Sequence, residues 1–202
     1  MIPPIFHQMW IGSPLPDHLA GYIESWKRHH PGWEFRWWNE STIGSLWNQD
    51  LWDHAHDISP TAPEQFRADV VRYEILYRQG GVWVDVDFEC LRSIEELCRV
   101  DAFLAWEVPN RWLNQAIFGA VPEHPLLAAL IAALPESVER HRRHANTKKS
   151  GPQFVTPHAL RHGVTTYPKE HFYPYLWNEL HRGGETFPDA YAIHHWNHRR
   201  TM

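Results

Sequence analysis

Apolar residues along this chain recur at two different periods, and the switches between them outline its elements. A mostly apolar run over 5–10 predicts a first strand, stopped by Gly12, Ser13 and Pro14. Leu19, Tyr22, Ile23 and Trp26 then recur at helical spacing, which predicts a helix over 17–28 ending before Pro31. A second short strand is predicted over 35–38. After a polar stretch, Thr61 and Glu64 stand at capping-box spacing with Pro63 inside the first turn. The helix that follows is predicted over 62–79, with Gly80 placed for a left-handed C-terminal cap. Residues 82–88 alternate strictly and read as a strand. Further strands are expected over 102–106 and 116–121, a helix over 124–140 and a last strand over 190–195. Strands alternating with helices predict an α/β sandwich built on a mostly parallel sheet. At 202 residues without repeats or low-complexity tracts, the chain reads as one domain, 1–202.

Composition narrows the function. A hydrophobic content of 43% with 21% charged residues excludes a disordered chain. The formal net charge of −5 disfavours a nucleic-acid partner, because phosphate binding calls for a basic surface. Cys90 and Cys98 alone imply no disulfide framework. Residues 1–12 lack the basic start and apolar run of a signal peptide, and the longest apolar stretch, 126–134, is far short of a membrane span. The expected location is the cytoplasm, either free or peripheral at the inner membrane face. The unusual counts are 12 Trp and 16 His, residue types suited to stacking on sugars and to binding metals.

The segment 67–90 carries the most chemistry. On a continuous strand, Trp83, Asp85, Asp87 and Glu89 would share one face and Val82, Val84, Val86 and Phe88 the other. Asp85 and Asp87 would then lie roughly 7 Å apart, a spacing that suits two carboxylates sharing a hard cation. An isolated Asp-x-Asp is a weak signal. Here Gly80 and Gly81 precede it with an abrupt helix-to-strand turn, and Gln65, Asp69 and Arg72 form a polar stripe on the preceding helix. That stripe reads as the wall of a pocket.

The string Asp69-Val-Val-Arg72-Tyr-x-Ile-Leu-Tyr-x-x-Gly80-Gly81-Val-Trp-Val-Asp85-Val-Asp87 resembles the core motif of glycosyltransferase family 32, which the catalytic domains of large glucosylating toxins share. Ile2-Pro-Pro-Ile-Phe-His7-Gln-Met-Trp10-Ile-Gly12 resembles the family's first strand. Asn114-x-x-x-x-Gly-Ala-x-Pro-x-His124-Pro125, Ser150-Gly151-Pro152 and His194-His195-Trp196 match later blocks in order. The resemblance implies a GT-A fold and a retaining transfer of a hexose from a UDP- or GDP-sugar to a hydroxyl of a polysaccharide or glycolipid glycan. It implies Mn²⁺ or Mg²⁺ as cofactor, with Asp87 as a direct ligand and Asp85 bridging ribose, sugar or metal. Asp69 and Arg72 would hold the donor sugar's hydroxyls and Trp10 would stack on the nucleobase. Gly81, Trp83 and Asn114 would line the donor site.

Of the C-terminal imidazoles, His195 is the first choice for a third metal ligand, with His194 and His198 as rivals. Arg199-Arg200 stands where relatives continue to a Ser-Trp pair, so this part of the pattern departs from the family. No residue stands out as a covalent nucleophile, which favours front-face attack by the acceptor. Acceptor contacts are expected from 106–113 and 165–182. Two rival readings are a metal-dependent phosphoesterase or nucleotide-sugar hydrolase using Asp85, Asp87 and His195, and a carbohydrate-binding module. The helical signals speak against the second. His54/His56 and His141/His144 lack the partners of a zinc site, and the basic run 140–149 reads as a solvated helix end.

Overall fold

A six-stranded sheet sets the position of everything else. The computed structural model describes residues 1–197, so the expectations for His198, Arg199 and Arg200 lie outside the described residues. In chain order the strands and α-helices are β1 (Ile5–Met9), α1 (Asp17–His29), β2 (Glu34–Trp38), α2 (Gln49–Asp53), α3 (Ala55–Ile58), α4 (Pro63–Gln79), β3 (Gly81–Val84), β4 (Phe88–Cys90), β5 (Ala102–Val108), β6 (Trp112–Ala120), α5 (Pro125–Arg140), α6 (Asn146–Lys149), α7 (Pro152–Arg161), β7 (Thr165–Tyr167) and β8 (Ala192–His194). The sheet order is β2-β1-β3-β6-β5-β7, with β4 and β8 forming a separate antiparallel pair. Strand β1 runs parallel to β2 and β3, and β5 parallel to β7, while β6 is antiparallel to both its neighbours.

Two apolar layers cover this sheet. Val82 and Val84 point into one, with Phe6, Trp26, Phe88 and Tyr173. Trp83 points into the other, with Phe66, Val70, Leu104 and Leu127. The expected alternation of β3 therefore holds as far as Val84 and then stops. Asp85, Val86 and Asp87 form a turn closed by the Phe88 amide on the Asp85 carbonyl at 3.1 Å. Asp85 and Asp87 thus flank a reversal of the chain, and the expected continuous strand over 82–88 is corrected to a strand, a turn and the start of β4. The cause is packing: Val86 leaves both main layers for a third cluster with Leu19 and Ile23 of α1. Glu89 lies on β4, in the second sheet.

Two other local expectations change. Helix α4 begins at Pro63 after Ala62, with no side-chain cap, so the capping box of Thr61 and Glu64 does not form. Asn146 Nδ2 donates instead to the Ala62 carbonyl at 3.1 Å, and the Glu64 side chain packs towards Gly12. Gly80 ends the helix at φ 62°, as expected of a glycine cap, and its N–H donates to the Leu76 carbonyl at 2.8 Å. Its ψ of −161° is outside the left-handed helical well, in a region essentially reserved for glycine. Gly81 follows at φ 95°, and a Cβ there would stand 2.6 Å from the Ile5 carbonyl oxygen.

Several of the many histidines are structural. His7 Nε2–H donates to the Gly80 carbonyl at 2.8 Å, and Nδ1 accepts from the Trp38 indole at 3.2 Å. Both bonds suit a neutral ring, and burial pushes its pKa down to about 4. His30 is pinned likewise between the Trp26 carbonyl and the Ile94 amide. His124 caps α5 by accepting from the Leu126 amide. No helix among the described residues is long and apolar enough to cross a membrane.

Candidate active site at the end of strand β3

The carboxyl end of a central parallel strand is where an open α/β sheet exposes backbone and side chains to a crevice. Strand β3 ends there at Val84, and Asp85 follows it. The antiparallel β6 reaches the same end with its first residues, because Val84 pairs with Ile117 and the Asp85 amide donates to the Ala116 carbonyl at 2.9 Å. Helix α4 passes alongside and presents Asp69 and Arg72 from successive turns.

Four predicted residues meet here. Arg72 Nη2 donates to Asp85 Oδ1 at 2.7 Å and lies 3.8 Å from Asp69 Oδ1. The Trp83 indole N–H donates to the same Asp85 oxygen at 2.9 Å. Arg72 also stacks against the Trp83 ring, its Cζ 5.2 Å from the centroid. Trp83 packs into the apolar layer with Phe66 and Leu104 and its single N–H is taken up by Asp85, so its part is to anchor Asp85 from beneath, which corrects its expected place in the donor lining. Gly81 is corrected too: it sits at the opposite end of β3, buried against Ile5.

Asp69 is almost fully buried. It accepts from Gln115 Nε2 at 3.0 Å and from Ser150 Oγ at 2.7 Å. Burial pushes its pKa up to about 6, against the opposing pull of Arg72 and these two donors. Gln115 and Ser150 were missed as site residues. Ser150 lay in a recognised motif block, while Gln115 had no signal beyond standing next to Asn114. Asn114 is buried on β6, where Nδ2 donates to Glu107 Oε2 and Oδ1 accepts from the Ala116 amide, both at 2.8 Å.

Asp87 faces the C-terminal segment. Its Oδ1 accepts from His194 Nε2–H at 3.0 Å and Oδ2 from the Asn197 amide at 3.0 Å. Burial alone would lower the pKa of His194, but contact with Asp87, reinforced by Asp85 and Glu107, holds it above the ordinary value. His195 turns the other way. Its Nε2–H donates to Glu89 Oε2 at 2.9 Å, Nδ1 accepts from the Tyr175 hydroxyl at 3.0 Å, and the ring stacks on Tyr22. Of the two described candidates for a third ligand, His194 therefore faces the Asp-x-Asp turn and His195 does not.

The donor set suits a hard cation. Asp85 Oδ2 has no hydrogen-bond partner among the described residues, and the side chain is 32% exposed. No group of three His, Cys, Asp or Glu side chains among the described residues forms a ready cage. That leaves two carboxylates, the usual protein share of a Mg²⁺ or Mn²⁺ site completed by phosphates and water. Beside β1 and β2, Trp10, Ile11, Gly12, Leu15, Trp37 and Asn39 line an open groove of about 520 Å³. Trp10 is fixed by its indole N–H on the Ser13 carbonyl at 2.8 Å.

Residues 16–108 match the family described as a glycosyltransferase sugar-binding region containing a DXD motif. The chain is 28% identical over 185 residues to inositol phosphoceramide mannosyltransferase 1 of Schizosaccharomyces pombe, covering 87% of this chain and 56% of that protein. It thus spans little more than half the length of that relative. Among solved structures it is similar to the PaToxG glycosyltransferase (TM-score 0.66, 12% identity, 79% of this chain and 69% of that one). It is also similar to the UDP-bound glycosyltransferase domain from the YGT toxin (TM-score 0.59, 10% identity, 83% and 79%). At such identities the likeness establishes the fold, which is that of the GT-A glycosyltransferases.

Proposed function

The chain belongs to the glycosyltransferases whose sugar-binding region contains a DXD motif, and from that premise we propose that it transfers a hexose from a nucleotide-diphosphate sugar to a glycan or glycolipid hydroxyl with retention of configuration. The observation that carries this reading is the convergence of Asp69, Arg72, Asp85 and Asp87 at the carboxyl end of β3. A phosphate-rich ligand and a sugar each need such groups, and here Arg72 joins Asp69 to Asp85, two residues before Asp87.

Each residue has a part. Trp10 stacks on the nucleobase in the groove beside β1, and a uridine donor is supported by the UDP-bound structural relative. Arg72 and Asp69 receive the sugar hydroxyls, with Gln115 and Ser150 holding the Asp69 carboxylate in place. Asn114 contributes to the sugar side of the cleft from β6. Asp85 and Asp87 would hold Mn²⁺ or Mg²⁺, which when bound neutralises charge on the departing diphosphate. The acceptor oxygen attacks the anomeric carbon on the face the diphosphate leaves. Its bond to that carbon forms as the carbon–oxygen bond to phosphate breaks, and the acceptor proton passes to the leaving phosphate oxygen. A buried Asp69 that already engages Arg72, Gln115 and Ser150 is poorly placed to serve as a covalent nucleophile. A lipid-linked acceptor is supported by the named substrate of the yeast relative.

The deciding experiment is a screen of UDP- and GDP-sugars by thermal shift and by donor hydrolysis, with Mn²⁺, Mg²⁺ or chelator. Stabilisation by one donor only in the presence of metal supports the reading. Absence of response to every donor overturns it, and so does hydrolysis of simple phosphodiesters without any sugar donor. A glycosyl adduct trapped on Asp69 or another carboxylate would overturn front-face attack.

A further inference from the structure

Strand β6 is irregular beside the site, and the irregularity is stitched across the hairpin by one carboxylate. On β5, Leu104 pairs with Phe118 but the next residue, Ala105, pairs with Asn114. Residues 115–117 of β6 are therefore surplus on that edge, a three-residue bulge. Two positions further on, Trp106 pairs with Leu113 and Val108 with Trp112, which leaves Glu107 as the surplus residue of β5. Bulges leave backbone groups without ladder partners and re-aim the side chains they carry. Here the bulge turns Gln115 to Asp69, while on its other edge β6 stays in register with β3 and its Ala116 carbonyl accepts from the Asp85 amide.

One chain of hydrogen bonds closes the irregularity. Asn114 Oδ1 accepts from the Ala116 amide at 2.8 Å, which satisfies a donor the β5 ladder does not reach. Asn114 Nδ2 donates to Glu107 Oε2, also at 2.8 Å. The relay therefore runs from Glu107 through Asn114 and Ala116 to the backbone of Asp85. We propose that Glu107 is a positioning residue: it orients the Asn114 amide, and through it the bulge that presents Gln115 and Asp85 to the donor. Without an acceptor at Glu107, the Asn114 amide keeps only its bond from the Ala116 N–H and loses the second contact that holds its plane. An amide held at one end only weakens the Ala116 bond, and the bulge loosens.

The functional half of this inference rests on the glycosyltransferase reading; the structural half does not, and the test separates them. Glu107→Ala and Glu107→Gln are compared by hydrogen exchange of the peptides covering 82–88 and 113–118, and by donor turnover. A glutamine side chain keeps an oxygen able to accept from Asn114, so Glu107→Gln should exchange like the wild type. Glu107→Ala should lose about tenfold in protection at these peptides, the scale expected for one hydrogen bond to a charged group. In an active wild-type enzyme, kcat should fall about tenfold in Glu107→Ala and recover in Glu107→Gln, with a smaller change in the donor KM. Unchanged exchange in Glu107→Ala overturns the relay, and so does equal damage in the two variants. Altered exchange with the rescue intact, in a protein inert towards every donor, would keep the relay and fail the glycosyltransferase reading instead.

Discussion

Arg72 donates to Asp85 at 2.7 Å from a side chain that is itself only 3% exposed. A buried guanidinium serving a half-open carboxylate is costly to desolvate, and removing either partner strands the other. Arg72→Ala should therefore destabilise the fold by about 3 kcal/mol, read as a shift in denaturant midpoint. Donor turnover should fall by at least about a hundredfold, since the positive charge beside the donor is lost. Arg72→Lys should regain part of the stability but little turnover, because a point ammonium cannot reproduce the planar fork between Asp69, Asp85 and the Trp83 ring. Near-wild-type turnover in Arg72→Lys would show that charge alone suffices.

Asp87 predicts a loss of a different kind. An asparagine there keeps an oxygen to accept from His194 or the Asn197 amide, but it loses the charge a cation needs. Asp87→Asn should fold, with a melting temperature lowered by a few degrees. Wild-type protein with Mn²⁺ and nucleotide at about a hundred times its Kd should gain about 2.7 kcal/mol by mass action, and the variant nothing. Equal stabilisation of both proteins would remove Asp87 from metal binding.

Legibility in the sequence was uneven, and the physics of each miss differs. Periodicity found every strand of the main sheet except β7, which is only three residues long and has no buried position. It misjudged 85–88, where alternation continues in the sequence but Val86 finds a better apolar site against Leu19 and Ile23 of α1. The motif strings led to Asp69, Arg72, Asp85 and Asp87, since their spacing is local. Gln115, Ser150 and Glu107 act across sequence separations of 46, 81 and 7 residues, the last through a bulge, and no periodic signal reports such contacts. The sequence favours His195 as the third ligand, yet the pairing of β8 with β4 sets His194 against Asp87, and His195, the residue after β8, turns to Glu89.

Stability should depend on pH through the buried imidazoles. His7 titrates near 6.5 when unfolded and at about 4 in the fold, so between these values the unfolded chain binds the extra proton. Stability from this group is therefore complete above about pH 6.5 and is lost as pH falls towards 4, by up to about 3 kcal/mol. His30, also lowered by burial, adds with the same sign. Asp69 has the opposite sign: its pKa is raised to about 6, so protonation on acidification favours the folded state and offsets part of the loss. Denaturant midpoints measured from pH 7.5 to 4.5 should fall, and more steeply in Asp69→Asn, where the offset is absent. A flat profile in Asp69→Asn, where the offset is absent, would contradict the buried neutral state of His7.

Gly81 separates a structural role from a donor-binding one. Its φ of 95° is strained for any L side chain, and a Cβ would stand 2.6 Å from the Ile5 carbonyl oxygen and 2.9 Å from His7 Nε2. Neither contact can relax cheaply. The oxygen belongs to the backbone of a central strand, and the imidazole is fixed by Gly80 and Trp38. Gly81→Ala should therefore cost about 3 kcal/mol or more, from backbone strain together with overpacking. The site itself lies at the other end of β3, so the molecules that remain folded should bind nucleotide with unchanged affinity. Calorimetry on the folded fraction at low temperature checks this directly. A stable Gly81→Ala protein with weakened nucleotide binding would return Gly81 to the donor site and overturn its assignment as a packing residue.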